Sequence, residues 1–220
     1  MKILGLPLFA ALLCLSCGQP VQPTARVTAA PPVSKDLQAT GAFDYYLLTL
    51  SWAPEFCHSR PDSPECSGHF GFIVHGLWPQ YSRGGFPENC GQSPGPSNPN
   101  SMLDLMPDPH LIQHEWLTHG TCTGLPADNY FTLLRRIRAS IRIPPDLVAP
   151  QRQLTVSSEG LKQDFEQANP GLTDSEMALS CGGPYLVGVE ICFSKNGKLT
   201  ECGRDVRDCD KPMLRVPRVQ

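Results

Sequence analysis

Three histidines and one glutamate fall in two short stretches of this 220-residue chain. The first stretch, FIVHGLWPQ (Phe72 to Gln80), sets His75 in an apolar, β-branched run; the second, HEWLTHGTC (His114 to Cys122), sets His114 and His119 around Glu115. A helix from Leu111 to a break at Gly120 would put Glu115 and His119, four positions apart, on one face. His114 and His119 stand five apart and would diverge by roughly 140° on the same helix. The zinc-hydrolase pattern H-E-x-x-H needs its histidines four apart, so this spacing does not recommend a metal site. A carboxylate beside one imidazole, with a second imidazole arriving from a strand, suits proton transfer. One group takes a proton, another gives one, and charged groups remain to steady an oxyanion. The sequence has no nucleophile elbow, and its cysteines have another use, so a covalent intermediate on the protein has little support.

The elements that must hold these residues can be read from apolar periodicity. FDYYLLTLSWAP (Phe43 to Pro54) is a continuous apolar run of the kind a buried central strand shows, closed by Pro54. HFGFIVHGLW is a second strand, ended by Gly76, and YLVGVEICF (Tyr185 to Phe193) a third. The third leads through Asn196-Gly197 into a hairpin, which would bring Cys192 nearly opposite Cys202. Asp128 can cap a helix, NYFTLLRRIRASIR, with Tyr130, Leu134, Ile137 and Ile141 as its apolar stripe. Arg135, Arg138 and Arg142 fall on another face and read as solvated charge rather than a phosphate track. SSEGLKQDFEQAN, ended by Pro170, is a second helix, and the Pro, Gly, Ser and Asn stretch from Cys90 to Leu103 is a surface loop. The fold class expected is α+β: a central, mostly antiparallel sheet with packed helices and disulfide staples.

The ends of the chain speak to location. Residues 1–17 carry one lysine and a short apolar run, the build of an export signal. The run closes in LCLSC, so lipoprotein-type cleavage with lipidation of Cys17, giving a membrane tether, stands beside plain secretion. Residues 18–40 are rich in Pro, Ala, Thr and Gln and form a flexible linker to a domain spanning 41–215. Of the ten cysteines, eight remain beyond Cys17, an even number that argues for disulfides in a periplasmic or extracellular protein. The cysteine count alone leaves their connectivity open; local spacing suggests Cys57 with Cys66, Cys90 with Cys122, and Cys192–Cys202 nested inside Cys181–Cys209. A net charge of -3 means that any contact with a polyanion is made locally.

With no nucleophile on the protein, the substrate must bring its own, and RNA does so in its 2′-hydroxyl. The two histidine stretches resemble the two signature blocks of the ribonuclease T2 family of secreted acid endoribonucleases. The resemblance extends to YYLLTLSWAPEFC upstream, FPENC between the blocks and the late nested cysteines, covering most of Phe43 to Cys209. It implies an α+β fold, no cofactor or metal, and a monomer that cuts single-stranded RNA but not DNA through a 2′,3′-cyclic phosphate. It further implies His119 as general base, His75 as general acid and His114 as a phosphate contact. Glu115 would steady the phosphorane or orient His119, and Trp78 would stack on a base. One position departs from the pattern: Thr118 stands beside the phosphate where relatives commonly carry lysine. Loss of that cation would lower the rate on the order of 10² to 10³ unless replaced, and it leaves open a weakened member that binds RNA or a protein. Trp52 and Trp116 read as core, and His58, His69 and His110 as surface histidines.

Overall fold

The computed structural model describes residues 40–219; the leader, with Cys14 and Cys17, and the linker up to residue 39 lie outside them. The apolar run YYLLTLSW forms strand β1 (Tyr45–Trp52), buried along nearly its whole length. Such a strand needs a neighbour on each edge for its backbone and a layer on each face for its side chains. It finds edge partners in β2 (Phe72–Gln80) and β5 (Tyr185–Ser194), both antiparallel. The remaining strands are β3 (Leu154–Ser157), β4 (Met177–Gly182) and β6 (Met213–Val216). The sheet runs β2-β1-β5-β6-β3, with β4 paired to β5 off this path. Only the β5–β6 contact, at Tyr185 and Arg215, is parallel. The fold is therefore the α+β, mostly antiparallel and disulfide-stapled architecture expected.

Four helices cover the sheet, and their starts differ from expectation in instructive ways. Pro54 does not merely close β1: its fixed φ and missing N–H suit a first helical turn, and α1 runs Ala53–Ser59. In α2 (Pro109–Thr118) the Asp108 carboxylate accepts from the His110 N–H at 2.8 Å, so the helix starts earlier than the apolar pattern showed. Helix α3 (Ala127–Ala139) opens after Pro126, and Asp128 is not its cap. That carboxylate instead accepts from the Ser97 N–H and hydroxyl, tying the 90–103 loop to the helix. In α4 (Ser158–Ala168) the Ser157 hydroxyl caps Gly160.

The expected apolar stripe is buried, although the helix ends at Ala139 rather than running to residue 142: Tyr130, Leu134 and Ile137 of α3, and Ile141 just past it, pack with Leu48, Leu50, Leu77 and Trp116 in one core. Tyr130 also donates its hydroxyl to the Leu77 carbonyl at 3.0 Å, clamping α3 to β2. Trp52 is core too, with its indole N–H on the Pro217 carbonyl at 3.0 Å. That bond, with β6, carries ordered structure slightly past the expected end at residue 215. The basic residues expected on α3 stay at the surface, with Arg142 exposed just past the end of the helix. Arg135 forks onto Asp104, and Arg138 donates to the Ile141 carbonyl at 2.8 Å, so neither is aimed at a ligand.

The disulfides are Cys57–Cys66, Cys90–Cys122, Cys181–Cys209 and Cys192–Cys202, the four pairs that spacing indicated. The Asn196-Gly197 turn is present, with Gly197 at φ +75°, but its second arm is no strand. A single bridge, Phe193 to Leu199, precedes the covalent link at Cys202. Lys162, buried in α4, ion-pairs with both Asp174 and Asp208, fastening the helix to the segment around Cys209.

Candidate active site

Strand β2 does not stop at Gly76. It continues to Gln80 because its partner β1 accommodates one extra residue: Thr49 faces Gly76, Leu50 faces Val74, and His75 has no partner between them. This is a β-bulge, which re-aims the residue it inserts. Val74 and Leu77 both enter the core although they stand three apart, a spacing that a regular two-residue pleat forbids. His75 and Trp78 are thereby put on the other face together, ring centroids 5.5 Å apart and edge to face.

Gly76 gives this bulge its closeness to α2. A Cβ there would lie 2.1 Å from Glu115 Oε2 and 2.3 Å from Trp78 Nε1, so a carboxylate and an indole occupy the space of a side chain. Glu115 is only 1% exposed. Its Oε2 accepts from Trp78 Nε1 at 2.6 Å, and its Oε1 stands 3.6 Å from His75 Nε2. The other nitrogen of that ring, His75 Nδ1, meets the Ser51 hydroxyl at 3.1 Å. Ser51 and Glu115 thus hold the imidazole from both sides.

His119 follows the last residue of α2 and caps it, its N–H on the Glu115 carbonyl at 3.0 Å. The ring is 8% exposed and tilts against Trp78 (centroids 5.1 Å) and Phe86 (5.9 Å). Its Nδ1 is buried without a hydrogen-bond partner among the described residues. Thr118 ends α2 half-buried, and its carbonyl accepts from the Asn89 N–H at 2.7 Å. That bond and the Cys90–Cys122 bridge bring the loop bearing Phe86 over His119. His114 is exposed and, with His75 and Ser51, lines a neighbouring cavity of about 260 Å³. Exposed His110 lines it too, so it is more than a stray surface histidine.

The structure brings His75, Glu115, Trp78 and His119 together and sets His114 beside them. It differs from expectation in the partner of Glu115: the carboxylate serves His75 and Trp78 rather than orienting His119. Sequence reading passed over Ser51 and Phe86. A serine within YYLLTLSW and an aromatic within RGGFPENC, 47% exposed in the structure, were the available signals. Cys181, Cys209 and Asp210 group their donor atoms closely enough for an ion, but both sulfurs are joined in a disulfide.

Burial sets the electrostatics. It lowers the His119 pKa to about 4, helped by repulsion from His114 and then His75, and it lowers His75, helped by His114. It raises Glu115 to about 8, against the opposing pull of the Trp78 hydrogen bond. The 3.6 Å contact is an ion pair only when His75 carries a proton. Burial opposes the charged form of both groups, raising the carboxyl and lowering the imidazole. An arriving anion reverses the balance for His75, because negative charge favours the protonated ring. Two imidazoles flank one indole, and an anion is what would charge one of them.

Because the folded Glu115 keeps its proton up to about 8 while the unfolded carboxyl releases it near 4.5, its favourable contribution is complete below 4.5 and lost as pH rises toward 8. Glu115→Gln keeps an acceptor for Trp78 and cannot ionise. Its unfolding midpoint relative to the unsubstituted protein should therefore rise steadily from pH 5 to pH 8 in thermal or urea melts. Taking the difference cancels the histidines, whose lowered values act in the opposite direction.

Comparison with known proteins identifies the family and the fold. Residues 43–202 match the Ribonuclease T2 family. A ribonuclease of Aeromonas hydrophila is 35% identical over 207 residues, covering 86% of this chain and 94% of the relative. Ribonuclease MC of Momordica charantia is 33% identical over 191 residues, covering 74% of this chain and 96% of its own. Among solved structures, ribonuclease MC1 from bitter gourd seeds superposes with a TM-score of 0.62 at 28% identity, covering 78% of this chain and 99% of that one. RNase NT in complex with 5′-AMP superposes with a TM-score of 0.65 at 21% identity, covering 80% and 98%. With the family matched over most of its length and the paired imidazoles standing on its two histidine stretches, the chain belongs to the Ribonuclease T2 family.

Proposed function

We propose that the protein is a metal-independent endoribonuclease that cuts single-stranded RNA by transphosphorylation. The observation that carries the reading is the pair of imidazoles, His75 and His119, on either side of Trp78 with Glu115 behind them. His119 Nε2 takes the proton of the 2′-hydroxyl, whose oxygen attacks the adjacent phosphorus. The P–O5′ bond breaks, and the 5′-oxygen leaves with a proton from His75, producing a 2′,3′-cyclic phosphate. Water then enters with the two roles reversed and opens the ring to a 3′-phosphate. The lower pKa of His119 favours this assignment, since a base must be neutral where its partner is charged.

The other residues have electrostatic and positioning roles. His114, exposed beside His75, meets the phosphate. Glu115, neutral in mild acid, can donate a hydrogen bond to an equatorial phosphorane oxygen, partly offsetting the missing lysine at Thr118. Trp78 gives its N–H to Glu115, and its half-buried ring, with exposed Phe86, offers a surface for a base. An RNase MC1 variant, 26% identical, has been solved in complex with 5′-UMP, which supports a nucleotide-containing substrate. The leader-like residues 1–17 and the disulfides support export to the periplasm or exterior, free or tethered through lipidated Cys17.

Thr118 favours a second reading, a weakened relative that holds RNA without cutting it. Single-stranded RNA and DNA of matched sequence separate the two. The enzyme cuts RNA to cyclic-phosphate ends in the presence of a chelator and leaves DNA whole, because DNA lacks the attacking hydroxyl. His119→Ala should lower kcat by about 10² to 10⁴ while RNA affinity changes little. RNA that is bound and left intact would establish the binder. In the same assay Thr118→Lys should raise kcat, by up to about 10² if a cation near phosphorus is limiting.

The pH profile tests the assignment of roles. His119 becomes neutral above about 4, and His75 loses its proton at a value below the ordinary 6.5. For the free enzyme, kcat/KM should trace a bell with both limbs on the acid side of 6.5. A profile still rising at pH 7 would contradict the scheme.

A further inference from the structure

Two further cavities adjoin the Lys195–Lys198 turn, and neither is lined by His75, Glu115 or His119. One, of about 390 Å³, lies between β1 and α3 and is lined by Phe43, Tyr46, Asn129, Thr132, Arg136 and Lys195, among others. The other, of about 470 Å³, is lined by Arg142, Asn169, Phe193 and Lys198 among others. The two meet at the turn: a Cβ on Gly197 would lie 3.5 Å from Arg136 Nη2, and Lys195 and Lys198 stand at opposite ends of it. Four cations therefore stand around the two cavities, and no acidic residue lines either. None of the four pairs with a carboxylate among the described residues, although acidic residues outnumber basic ones 21 to 18 in the whole chain. Lys195 is also positioned, its Nζ 4.3 Å above the Phe43 ring and 3.1 Å from the Gly41 carbonyl.

Unpaired cations around concave, partly apolar walls fit a flexible polyanion that carries flat apolar groups. We propose that this surface is a second RNA-holding site, which takes a single-stranded flank of the substrate at a distance from the cleavage point. Phosphates lie against Arg136, Lys195, Lys198 and Arg142, and bases enter the two cavities, where exposed Asn129 offers a polar edge. The proposal rests on RNA being the substrate but not on the catalytic roles. An anionic membrane surface is a weaker match, since it presents no flat groups to fill cavities of this size. Register explains why the flank must be long. Tyr46 faces the core beside this surface, whereas its neighbour Leu47 packs with Trp78 on the opposite face of the same strand pair. Any RNA touching both passes around the sheet edge at β2.

The test compares substrates of different length. Arg136→Gln/Lys195→Gln/Lys198→Gln is expected to raise KM about 10-fold for RNA of about 20 nucleotides at about 50 mM salt, with kcat unchanged. Cleavage of a dinucleotide, too short to reach the surface, is expected to be unchanged. Affinity for a 2′-O-methyl oligonucleotide, which cannot be cut, should fall in parallel, with the log–log salt slope shallower by about 2. Arg136→Gln/Lys198→Gln, which leaves the Lys195–Phe43 contact in place, should show the same pattern at smaller size. Unchanged oligonucleotide affinity overturns the proposal, as does an equal loss on the dinucleotide. Loss of binding to phosphatidylglycerol vesicles with oligonucleotide binding intact would assign the surface to membranes and overturn it as well. Because oligonucleotide binding needs no turnover, a protein that binds as described yet never cuts would refute the endoribonuclease reading alone.

Discussion

The site depends on one close packing, a carboxyl group seated against a glycine in a bulged strand. Glu115 can reach both Trp78 and His75 only because Gly76 has no side chain, and His75 points outward only because β2 carries one residue more than β1 at that level. The geometry has an electrostatic counterpart. A carboxyl so enclosed holds its proton to unusually high pH, and the imidazoles beside it surrender theirs unusually early. The same enclosure that fixes the rings also tunes them, so position and proton affinity change together.

The rest of the fold reads as support for that contact. Tyr130 clamps α3 to the backbone of β2 through Leu77, one position before Trp78. Helix α2, which carries Glu115 and ends at His119, is started by Asp108 and stopped before Gly120. There a Cβ would strike the Trp116 ring at 2.3 Å, so close packing helps fix where the helix can end. Disulfides hold the loops that regular structure leaves unfastened, a common need when functional side chains sit at strand bulges and helix ends.

Much of this was legible in the sequence. The continuous apolar runs located β1, β2 and β5 because a strand buried on both faces has no polar alternation to lose. The stripe of α3 was legible because Tyr130, Leu134, Ile137 and Ile141 recur with the helical period, and the two histidine stretches marked the site. What escaped was whatever depends on backbone detail or on partners distant in sequence. Gly76 reads locally as a strand end, yet the pairing with β1 carries β2 through it. Asp128 reads locally as a cap, yet it serves Ser97 in another loop. Glu115 and His119 share a face of any ideal helix, but the chain leaves helical geometry at His119 and the carboxylate turns to a strand. Ser51 and Phe86 carried no periodic signal, since their importance comes only from what stands opposite them.

The bridge from Cys90 to Cys122 joins the approach loop to the turn just beyond His119. Opening it would leave the wall over that imidazole fastened mainly by the Asn89–Thr118 hydrogen bond, with the ring chemistry itself untouched. Redox poise would therefore govern how firmly the cleft is assembled rather than how acidic its groups are. A nascent chain in a thiol-rich compartment would carry every reactive side chain and still lack a rigid place to use them.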